Sequence, residues 1–475
     1  MNFVDYLIKD KKNLNKEIFI NKNLRYSDLY DYIKSLKHLT KGKKNNIFAI
    51  CFENSEEFLI NYLSLIKSEN VPMIIEKGLS VKKYLEILDR FDINFFITDN
   101  SLIKDNLSNS FKEELFRTDF TNKKFYFFLR KSHKEHKMKK DVALILLTSG
   151  STGEKKAVML THNNLIENTK SILKVLPIKS TDIVNLVLPS SYSFGLSVLN
   201  THLKRGAKIF LHNSPFVGSV IKELKENECS SFYGVPSTFE ILINKTNFLE
   251  NKFPKMKYVA QAGGSLENKY KKKLIKKFKN KFFVMYGTTE ASPRLSTVPP
   301  KMLKRKVDSI GKPIPGVKFK LFKYENSKKY QLGAKGKNIM KGYFKEDKLN
   351  KRIFYKGFYL TGDLAYKDKD DFYFISGRID ETIKRYGYKI NIKYIESFVK
   401  NLNKILDCKI FLDQSENLIL ICQVENRFIK NDLKKNIEKS LRNNFATYEI
   451  PNKIFYTEKV LKSINKKTSL EDLDL

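Results

Sequence analysis

The sequence contains no tryptophan, only four cysteines and no long apolar stretch. The cysteines, Cys51, Cys229, Cys408 and Cys422, form no Cys-x-x-Cys pair and no disulfide framework, so we expect reduced thiols in the cytoplasm. No run of about 18 uncharged apolar residues is present, as a membrane span would require. The first residues, MNFVDYLIKDKK, place Asp5 where a signal peptide needs its apolar stretch. Neither a membrane span nor secretion is therefore predicted.

Arginine is also scarce, although the chain is strongly basic. The 475 residues include 89 Lys and Arg against 52 Asp and Glu, which gives a formal charge of +37, yet only 12 of the basic residues are arginine. A charge of this size is typical of proteins that bind nucleic acids or anionic membranes. Arginine, however, is the residue preferred for bidentate contacts to phosphates and bases, and the lysines are spread over the whole chain. We interpret the charge as a compositional bias and expect no nucleic-acid partner.

The first 140 residues alternate short apolar runs with helical patterns. IFAICF (47–52), VPMII (71–75) and FFIT (95–98) are predicted strands, and residues 56–68 are a predicted helix with one apolar face. This alternation predicts a largely parallel sheet with helices on both faces. His133 and His136 have His-x-x-His spacing but no partner ligands nearby, so a solvated loop is predicted there rather than a metal site.

The alternation resumes later in the chain and then changes in character. Strands are predicted at 183–188 and 207–211, and helices at 197–203 and 265–279, the second of them capped by Ser265. After Gly311 the pattern becomes short strands with Gly and Pro turns. A chain with 41% hydrophobic residues and this length is expected to form two or more domains.

The predicted fold class is therefore α/β. We expect a large N-terminal domain of β-sheets flanked by helices, residues 1–376, and a small α+β C-terminal domain, residues 381–475. Residues 377–380 lie between them, and we interpret them as a hinge. The C-terminal piece has about the size of a small domain.

A segment of small polar residues interrupts the apolar pattern at TSGSTGEKKAVMLTH, residues 148–162. An apolar run leads into it, KAVML (156–160) predicts another strand, and a helix is expected only after Thr161. A Walker-type loop requires Gly-x-x-x-x-Gly-Lys-[Ser/Thr] directly before a helix, and the segment has neither that spacing nor that context. The glycines allow backbone N–H groups to approach an anion, and the hydroxyls and a lysine add donors and charge. The segment is thus a predicted polyphosphate cradle, although a flexible surface turn is the alternative for the segment alone. The residues concerned are Thr148, Ser149, Gly150, Ser151, Thr152, Gly153 and Lys156.

Four further motifs follow in order. They are YGTTE (286–290), TGD (361–363), GRID (377–380) and Lys467 near the C-terminus. Together with TSGSTG they resemble the adenylate-forming superfamily of acyl-CoA synthetases, peptide-synthetase adenylation domains and firefly luciferase. The resemblance runs from about Val142 to Lys467. Residues 1–140 match the family only in their general pattern of apolar and polar residues. It implies that a carboxylate attacks the α-phosphate of ATP to give an acyl-adenylate, and that a thiol then displaces AMP.

The resemblance implies a role for each residue of the pentapeptide, while the Ser/Thr-rich turn would hold the β- and γ-phosphates. Tyr286, Gly287 and Thr288 would contact the nucleotide, the tyrosine through its aromatic face. Thr289 would donate to the α-phosphate. Glu290 would bind Mg²⁺, an ion that prefers one or two carboxylates together with phosphate oxygens.

The later motifs would complete the nucleotide site. Asp363 would accept both ribose hydroxyls, and Arg378 would reach the same ribose or its phosphate. Lys467 would bridge the substrate carboxylate and the α-phosphate and so offset the repulsion between two anions. The family usually has Gly before this lysine, whereas this chain has Lys466.

A hinge would let one site serve both half-reactions. Asp380 matches the pivot about which the small domain of the family rotates. Lys384 and Gly387 would then move to the thiol channel, where Gly387 would let a pantetheine arm pass close to the backbone.

The stretch PSSYSFG (189–195) bears on the acyl substrate. Tyr192 stands where many relatives have His, at the acyl entrance. Gly195 stands where D-alanine-activating relatives have an Asp that holds the substrate ammonium. Because a buried ammonium without a counter-charge is costly, an uncharged acyl chain is predicted rather than an α-amino acid, although another carboxylate could replace that Asp. The residues expected to form the wall and floor of the acyl pocket are Ser237, Ala262, Gly263 and Gly264.

The sequence therefore predicts an ATP- and Mg²⁺-dependent ligase that joins a carboxylic or fatty acid to CoA. The first alternative is an acyl- or aminoacyl-activating enzyme that loads the phosphopantetheine of a carrier protein. The second is a basic nucleic-acid-binding protein with an inactive ligase fold, which would bind DNA or RNA with a steep salt dependence.

Overall fold

The structure is a computed structural model with two compact units. It describes residues 1–8, 14–20, 24–35, 40, 42–100, 107, 110–117, 124–132, 137–149, 155–212, 214, 216, 218–324, 329–379, 382–385, 388–412, 417–425, 431–445 and 449–458. The first unit comprises Met1–Lys320, Gly333–Thr361 and Lys369–Phe372. The second unit comprises Leu321–Leu332, Gly362–Asp368 and Tyr373–Leu475. The predicted division into 1–376, 377–380 and 381–475 stays a prediction.

Helices of six to fourteen residues alternate with the strands in both units. The helices are α1 (Phe3–Ile8), α2 (Tyr26–Ser35), α3 (Glu56–Lys67), α4 (Val81–Arg90), α5 (His162–Val175), α6 (Ser193–Arg205), α7 (Ser219–Glu226), α8 (Pro236–Lys245), α9 (Asn268–Phe278), α10 (Asp347–Ile353), α11 (Ile392–Lys400) and α12 (Asn431–Asn444). Short 3₁₀ helices occur at Lys279–Lys281, Thr289–Ala291 and Pro300–Met302.

The strands are mostly short. They are β1 (Ile47–Cys51), β2 (Val71–Ile74), β3 (Phe95–Thr98), β4 (Phe111–Arg117), β5 (Lys124–Arg130), β6 (Val142–Ser149), β7 (Lys155–Thr161), β8 (Ile183–Leu186), β9 (Lys208–Leu211), β10 (Ser231–Gly234), β11 (Tyr258–Gln261), β12 (Phe282–Gly287), β13 (Arg294–Val298), β14 (Ser309–Pro313), β15 (Val317–Lys323), β16 (Tyr330–Gly336), β17 (Gly342–Tyr343), β18 (Phe354–Tyr355), β19 (Phe358–Lys367), β20 (Tyr373–Arg378), β21 (Thr382–Arg385), β22 (Tyr388–Asn391), β23 (Asp407–Leu412), β24 (Leu418–Gln423) and β25 (Lys453–Thr457).

The N-terminal sheet of the first unit has a parallel centre and antiparallel edges. Its strand order is β17-β7-β6-β2-β1-β3-β5-β4. The strands β6, β2, β1 and β3 run parallel, whereas β7, β17, β5 and β4 pair antiparallel. The predicted largely parallel sheet is thus correct for the centre only. Two of the antiparallel pairs, β6–β7 and β4–β5, join strands that are consecutive in the chain, and such neighbours commonly pair antiparallel. The other two, β17–β7 and β3–β5, join strands that are not consecutive.

A second sheet of the first unit presents the pentapeptide region. Its strands follow the order β14-β13-β12-β11-β10-β8-β9. From β12 to β9 the pairs are parallel, and β13 and β14 add antiparallel strands beyond β12. Because ligands bind at the carboxyl ends of parallel strands, the end of β12 is a candidate ligand edge.

A helical layer lies between these sheets. α3 packs on β1 and β2, α6 packs on β8 and β9, and α1 touches α3, α5 and α6. Ser55 caps α3 by accepting a hydrogen bond from the Phe58 backbone N–H at 3.1 Å. The sequence predicted one apolar face for this helix, but every residue from 57 to 66 is buried. A helix enclosed on all sides is expected in such a layer, and even Asn61 turns its amide to the Glu57 carbonyl at 2.9 Å.

Several predicted boundaries move by a few residues. The helix predicted at 265–279 begins at Asn268, with Glu267 rather than Ser265 at the cap position. The helix predicted at 197–203 extends over α6, and the strand before YGTTE continues through Gly287. The helix at Ser193–Arg205 and the strand at Phe282–Gly287 extend beyond the residues that carry their periodicity, whereas the helix at Asn268–Phe278 is shorter than predicted.

In its described residues, the second unit contains α11, α12, the strands β20 to β25 and parts of β15, β16 and β19. These strands follow the orders β15-β16-β19-β20, β21-β22 and β23-β24-β25. α11 packs on β23, and the core includes Ile395, Val399, Leu420 and Leu441. Cys408 and Cys422 face each other across β23 and β24, and all four thiols of the chain are buried and free.

Two further expectations concern a metal site and a membrane span. His133 and His136 lie outside the described residues. Within the described ranges, no group of three His, Cys, Asp or Glu side chains could hold a metal ion. No helix in this part of the chain has both the length and the apolarity to cross a bilayer.

Candidate active site

Two antiparallel strands flank the Ser/Thr-rich segment in the sequence. β6 and β7 pair with Thr148 opposite Lys156 and Ser149 opposite Lys155. Gly150, Ser151, Thr152 and Gly153 lie outside the described residues, and the strands predicted before and after them are present. α5 begins at His162 with a capping box in which Thr161 accepts from the Asn164 backbone N–H at 3.1 Å.

Lys156 and Glu290 are connected through a tyrosine. The Lys156 ammonium lies 5.7 Å from the centre of the Tyr343 ring. The Tyr343 hydroxyl donates to Glu290 Oε1 at 2.6 Å. The phosphate-cradle hairpin and the pentapeptide therefore lie together in one unit, with a cation over the ring of Tyr343 and a carboxylate at its hydroxyl.

Main-chain hydrogen bonds fix this tyrosine. β17 pairs with β7, so that Tyr343 faces Val158. Three residues before it, the Met340 N–H donates to the Glu290 carbonyl at 2.7 Å. One short segment thus ties the hairpin to the 3₁₀ turn. The sequence analysis missed Tyr343, and its only sequence signal is an aromatic residue after Gly342 in a turn-rich stretch.

The pentapeptide straddles the end of β12. Tyr286 and Gly287 belong to the strand, and the 3₁₀ turn begins at Thr289. A Cβ at Gly287 would lie 2.1 Å from the Pro293 carbonyl oxygen, so only glycine fits this approach. The Thr288 hydroxyl is buried and has no hydrogen-bond partner in the described part of the chain. Buried side-chain polar atoms usually have a partner, and a ligand bound at this turn would supply one.

A second polar cluster connects the hairpin to the predicted acyl entrance. Lys155 donates to Glu76 Oε1 at 2.6 Å, and the Tyr192 hydroxyl donates to Glu76 Oε2. Burial raises the pKa of Glu76, but the hydrogen bonds from Lys155 and Tyr192 outweigh it and hold that pKa below its ordinary value. The hydrogen bond to Glu76 raises the pKa of Tyr192 to about 12. Glu76 was also missed, and its signal is a carboxylate two residues after the buried strand β2.

The nucleotide and acyl regions also meet at a pair of hydroxyls. Ser193 Oγ and Thr289 Oγ1 are 3.1 Å apart. Since Ser193 opens α6 directly after Tyr192, the predicted acyl entrance touches the residue expected to donate to the α-phosphate. The cluster around Glu76 borders a small pocket whose apolar lining residues are Ile74, Ile75, Leu79, Ile87 and Leu147.

Gly195 is fixed by packing. A Cβ at this position would lie 2.3 Å from the Pro189 carbonyl oxygen and 2.7 Å from that of Leu188. Contacts this short with backbone atoms leave no room for any side chain unless the chain shifts. This close packing gives a steric reason why position 195 has no Asp, as the sequence analysis noted.

The remaining residues predicted for the acyl pocket lie close to α8 or follow β11. A Cβ at Gly263 would come within 4.0 Å of Phe194 Cδ1, and one at Gly264 would meet Pro236 at 3.2 Å. Ala262 is buried beside them, and Ser237 lies in the first turn of α8. Tyr192, in contrast, is half exposed.

Asp363 and Arg378 form a pair in the second unit. They face each other across β19 and β20, and Arg378 Nη1 donates to Asp363 Oδ1 at 3.3 Å. The carboxylate of Asp363 is buried, whereas the side chain of Arg378 is 43% exposed. The expected ribose ligands are therefore direct neighbours.

The thiol-channel and C-terminal predictions are only partly covered by the structure. Lys384 lies in β21, where its backbone pairs with Lys389. Asp380, Gly387 and Lys467 lie outside the described residues, so their roles stay predictions.

Sequence comparison identifies the family. The profile of the AMP-binding enzyme family matches residues 9–344. YngI of Bacillus subtilis (strain 168) is 30% identical over 283 residues, which span 57% of this chain and 51% of that protein. The oxalate–CoA ligase of Arabidopsis thaliana is 24% identical over 94% of this chain and 92% of its own length. The D-alanine–D-alanyl carrier protein ligase of Bacillus cytotoxicus is 24% identical over 88% of this chain and 86% of its own length.

Solved structures share the fold. The o-succinylbenzoate CoA synthetase of Bacillus subtilis, in complex with its acyl-adenylate, superposes with a TM-score of 0.77. At 20% identity it covers 97% of this chain and 95% of its own. The fold, a large sheet-rich region with a smaller C-terminal domain, is that of adenylate-forming enzymes, and the predicted fold class is confirmed.

The chain belongs to the AMP-binding enzyme family, whose members named above include CoA ligases and carrier protein ligases. The predicted resemblance to adenylate-forming enzymes is thereby confirmed. The family match begins at residue 9, well before the first motif quoted from the sequence. The first 140 residues carry none of the quoted motifs, but from residue 9 onward they belong to the matched region.

Proposed function

We propose that the chain is an ATP- and Mg²⁺-dependent acid–thiol ligase that joins a carboxylic acid to CoA. An acid oxygen attacks the α-phosphorus of ATP, the bond to pyrophosphate breaks, and an acyl-adenylate forms. The thiol sulfur then attacks the acyl carbon, AMP leaves, and the thiol proton passes to solvent. The observation that carries the proposal is the Lys156–Tyr343–Glu290 connection, which joins a phosphate-type cradle to a carboxylate in one unit.

The residues fit a magnesium-bound nucleotide. Glu290 offers one carboxylate, held by Tyr343, and Mg²⁺ in phosphate-transfer sites commonly takes one or two carboxylates with phosphate oxygens. The ion would neutralise phosphate charge. Thr288 presents an unpaired buried hydroxyl at the same turn, and Thr289 stands beside Ser193. Asp363 and Arg378 are assigned to the ribose, and Lys467 to the two reacting anions, by resemblance alone.

Gly195 favours an acid without an α-ammonium group. The steric limit at this position excludes the Asp that would hold an ammonium there. Acids without a positive charge, fatty acids included, are therefore the first substrates to test.

ATP–pyrophosphate exchange over a panel of acids tests the proposal directly, because exchange needs no thiol. We expect acid-dependent exchange that requires Mg²⁺. Glu290→Ala should raise the Mg²⁺ concentration required for half-maximal exchange, and an unchanged Mg²⁺ requirement would count against its role. If no acid supports exchange, the proposal fails.

Loading of a carrier protein is the second candidate, because carrier protein ligases match most of the chain. Once an active acid is known, CoA and a phosphopantetheinylated carrier protein are supplied separately. Only the true acceptor should release AMP rapidly. Rapid release with the carrier protein alone would replace CoA in the proposal.

A further inference from the structure

Arg294 is a buried cation in the middle of the first unit. It opens β13 directly opposite Gly287 of the pentapeptide, and only 3% of its surface is exposed. Its backbone is anchored to α5, because Asn168 Nδ2 donates to the Arg294 carbonyl at 2.9 Å and Asn168 Oδ1 accepts from its N–H at 3.2 Å. The backbone from which the Arg294 side chain extends is therefore fixed relative to α5.

Within the described ranges, the titratable groups that act on the charge of this guanidinium are two tyrosines and include no acidic side chain. The guanidinium stands 5.4 Å from the centre of the Phe194 ring, and Nη1 touches the sulfur of Met285. The phenols of Tyr233 and Tyr258, which are hydrogen-bonded to each other, interact electrostatically with the guanidinium. An aromatic face, a thioether and two phenols are weak compensation for a buried charge.

Neither neighbouring phenol compensates the positive charge of Arg294 near neutral pH. Burial lowers the pKa of Arg294 to about 10, so the guanidinium is still protonated near neutral pH. Burial also raises the pKa of both Tyr233 and Tyr258, so neither phenol supplies a negative charge. A protein that keeps such a cation dry normally pairs it with a carboxylate.

Arg130 shows how this chain satisfies a structural arginine. Its side chain is 11% exposed and donates to Asp89 Oδ1 at 2.9 Å. It also donates to the backbone carbonyls of Ile93 at 2.8 Å and Leu88 at 3.0 Å. Arg294 has none of these acceptor types in the described part of the chain.

The location of Arg294 indicates which ligand supplies the missing anion. Phe194 neighbours both the guanidinium and Gly263, one of the residues expected to line the acyl pocket. Phe194 also follows Ser193, whose hydroxyl contacts Thr289. Arg294 is thus one side chain away from the region proposed for the acyl group, and on the same strand pair as the nucleotide motif.

We propose that Arg294 binds a second carboxylate at the far end of the acid substrate. The inference deepens the proposed function and rests on it: the acid would be a dicarboxylic acid, with one carboxylate adenylated and the other paired with the guanidinium fork. Arginine suits this task because its planar fork donates two parallel hydrogen bonds to a carboxylate. This inference differs from the sequence-based prediction of an uncharged acyl chain, and the test below decides between the two.

The test compares acids matched in carbon skeleton. ATP–pyrophosphate exchange is measured with the full chain on hexanoate and adipate, and on benzoate and terephthalate. We expect kcat/KM for at least one dicarboxylate to exceed that of its monocarboxylate at least about tenfold. A charge-assisted bidentate contact is worth about 30-fold, which corresponds to about 2 kcal/mol.

Two variants separate binding from structure. Arg294→Met should lower the dicarboxylate-to-monocarboxylate ratio about 30-fold, mainly through KM. Because it removes an uncompensated buried charge, it should not lower Tm. The matched control is Arg130→Met, which should lower Tm, because it breaks an ion pair and two carbonyl contacts, and leave the ratio unchanged.

The outcomes distinguish the inference from the function it rests on. Exchange with monocarboxylates as fast as with dicarboxylates, and unaltered in ratio by Arg294→Met, overturns the role of Arg294 and leaves the ligase proposal standing. Exchange with no acid at all overturns the ligase proposal. If Arg294→Met does not fold, the wild-type ratio decides: a ratio near one overturns the inference, and a ratio above about ten supports it.

Discussion

Removing the Tyr343 hydroxyl tests the connection on which the proposed function rests. Tyr343→Phe deletes one oxygen atom and keeps the ring beside Lys156. The lost hydrogen bond, 2.6 Å to Glu290 Oε1, is made to a charged acceptor, and such bonds are worth about 1.5–3 kcal/mol. Glu290 is only partly buried, so water replaces part of the bond, and we expect a net loss of about 1.4 kcal/mol, or tenfold.

The loss should appear in the use of Mg²⁺-ATP, because Tyr343 positions the carboxylate expected to bind the ion. Pyrophosphate exchange is followed while free Mg²⁺ is varied at constant ATP, and the half-maximal concentration should rise about tenfold while the saturated rate changes little. The matched control is Tyr26→Phe, which removes a buried hydroxyl that donates to the Leu203 carbonyl at 2.9 Å. A folded Tyr343→Phe protein with the Mg²⁺ dependence of the control would refute the positioning role.

Three further predictions address other residues. Lys467→Ala should reduce acyl-adenylate formation at least about 100-fold and leave thioester formation from supplied acyl-adenylate much less affected; equal losses would overturn its assigned role. Glu76→Gln should cost about 1 kcal/mol in urea unfolding at pH 7. Folding lowers the pKa of Glu76 from its unfolded value of 4.5, so its contribution to the free energy of unfolding is present above pH 4.5 and is lost as the pH falls through the folded pKa. If Glu76→Gln still lowers the free energy of unfolding at low pH, the ion pair with Lys155 is contradicted. Gly195→Ala should destabilise the fold by about 1–3 kcal/mol, and an unchanged denaturation midpoint would disprove the close approach to Pro189.

The motifs could be predicted from sequence because each depends on local chemistry. Glycines and hydroxyls between two apolar runs predict an anion cradle in any fold, and the strands on both sides of residues 150–154 are those expected. The element types were mostly predictable for the same reason, since periodicity is a local property. Their ends were not, because packing extended α6 back to Ser193 and began α9 at Asn268.

The residues that the sequence analysis missed are partners at long range. Tyr343 lies 53 positions from Glu290, and Glu76 lies 79 positions from Lys155 and 116 from Tyr192. No periodicity or spacing rule connects positions so far apart. The same holds for Arg294, which in sequence is only a basic residue in a lysine-rich chain.

The sequence by itself determined the family, the fold class and the order of the chemical groups, because these follow from apolar periodicity and from short runs of residues with fixed chemistry. Only the tertiary structure decided that a tyrosine joins Lys156 to Glu290, that Gly195 has no room for a side chain, and that Arg294 is buried without a carboxylate. The physical reason is that burial and ion pairing depend on which strands the fold places side by side, and a linear sequence does not contain those distances.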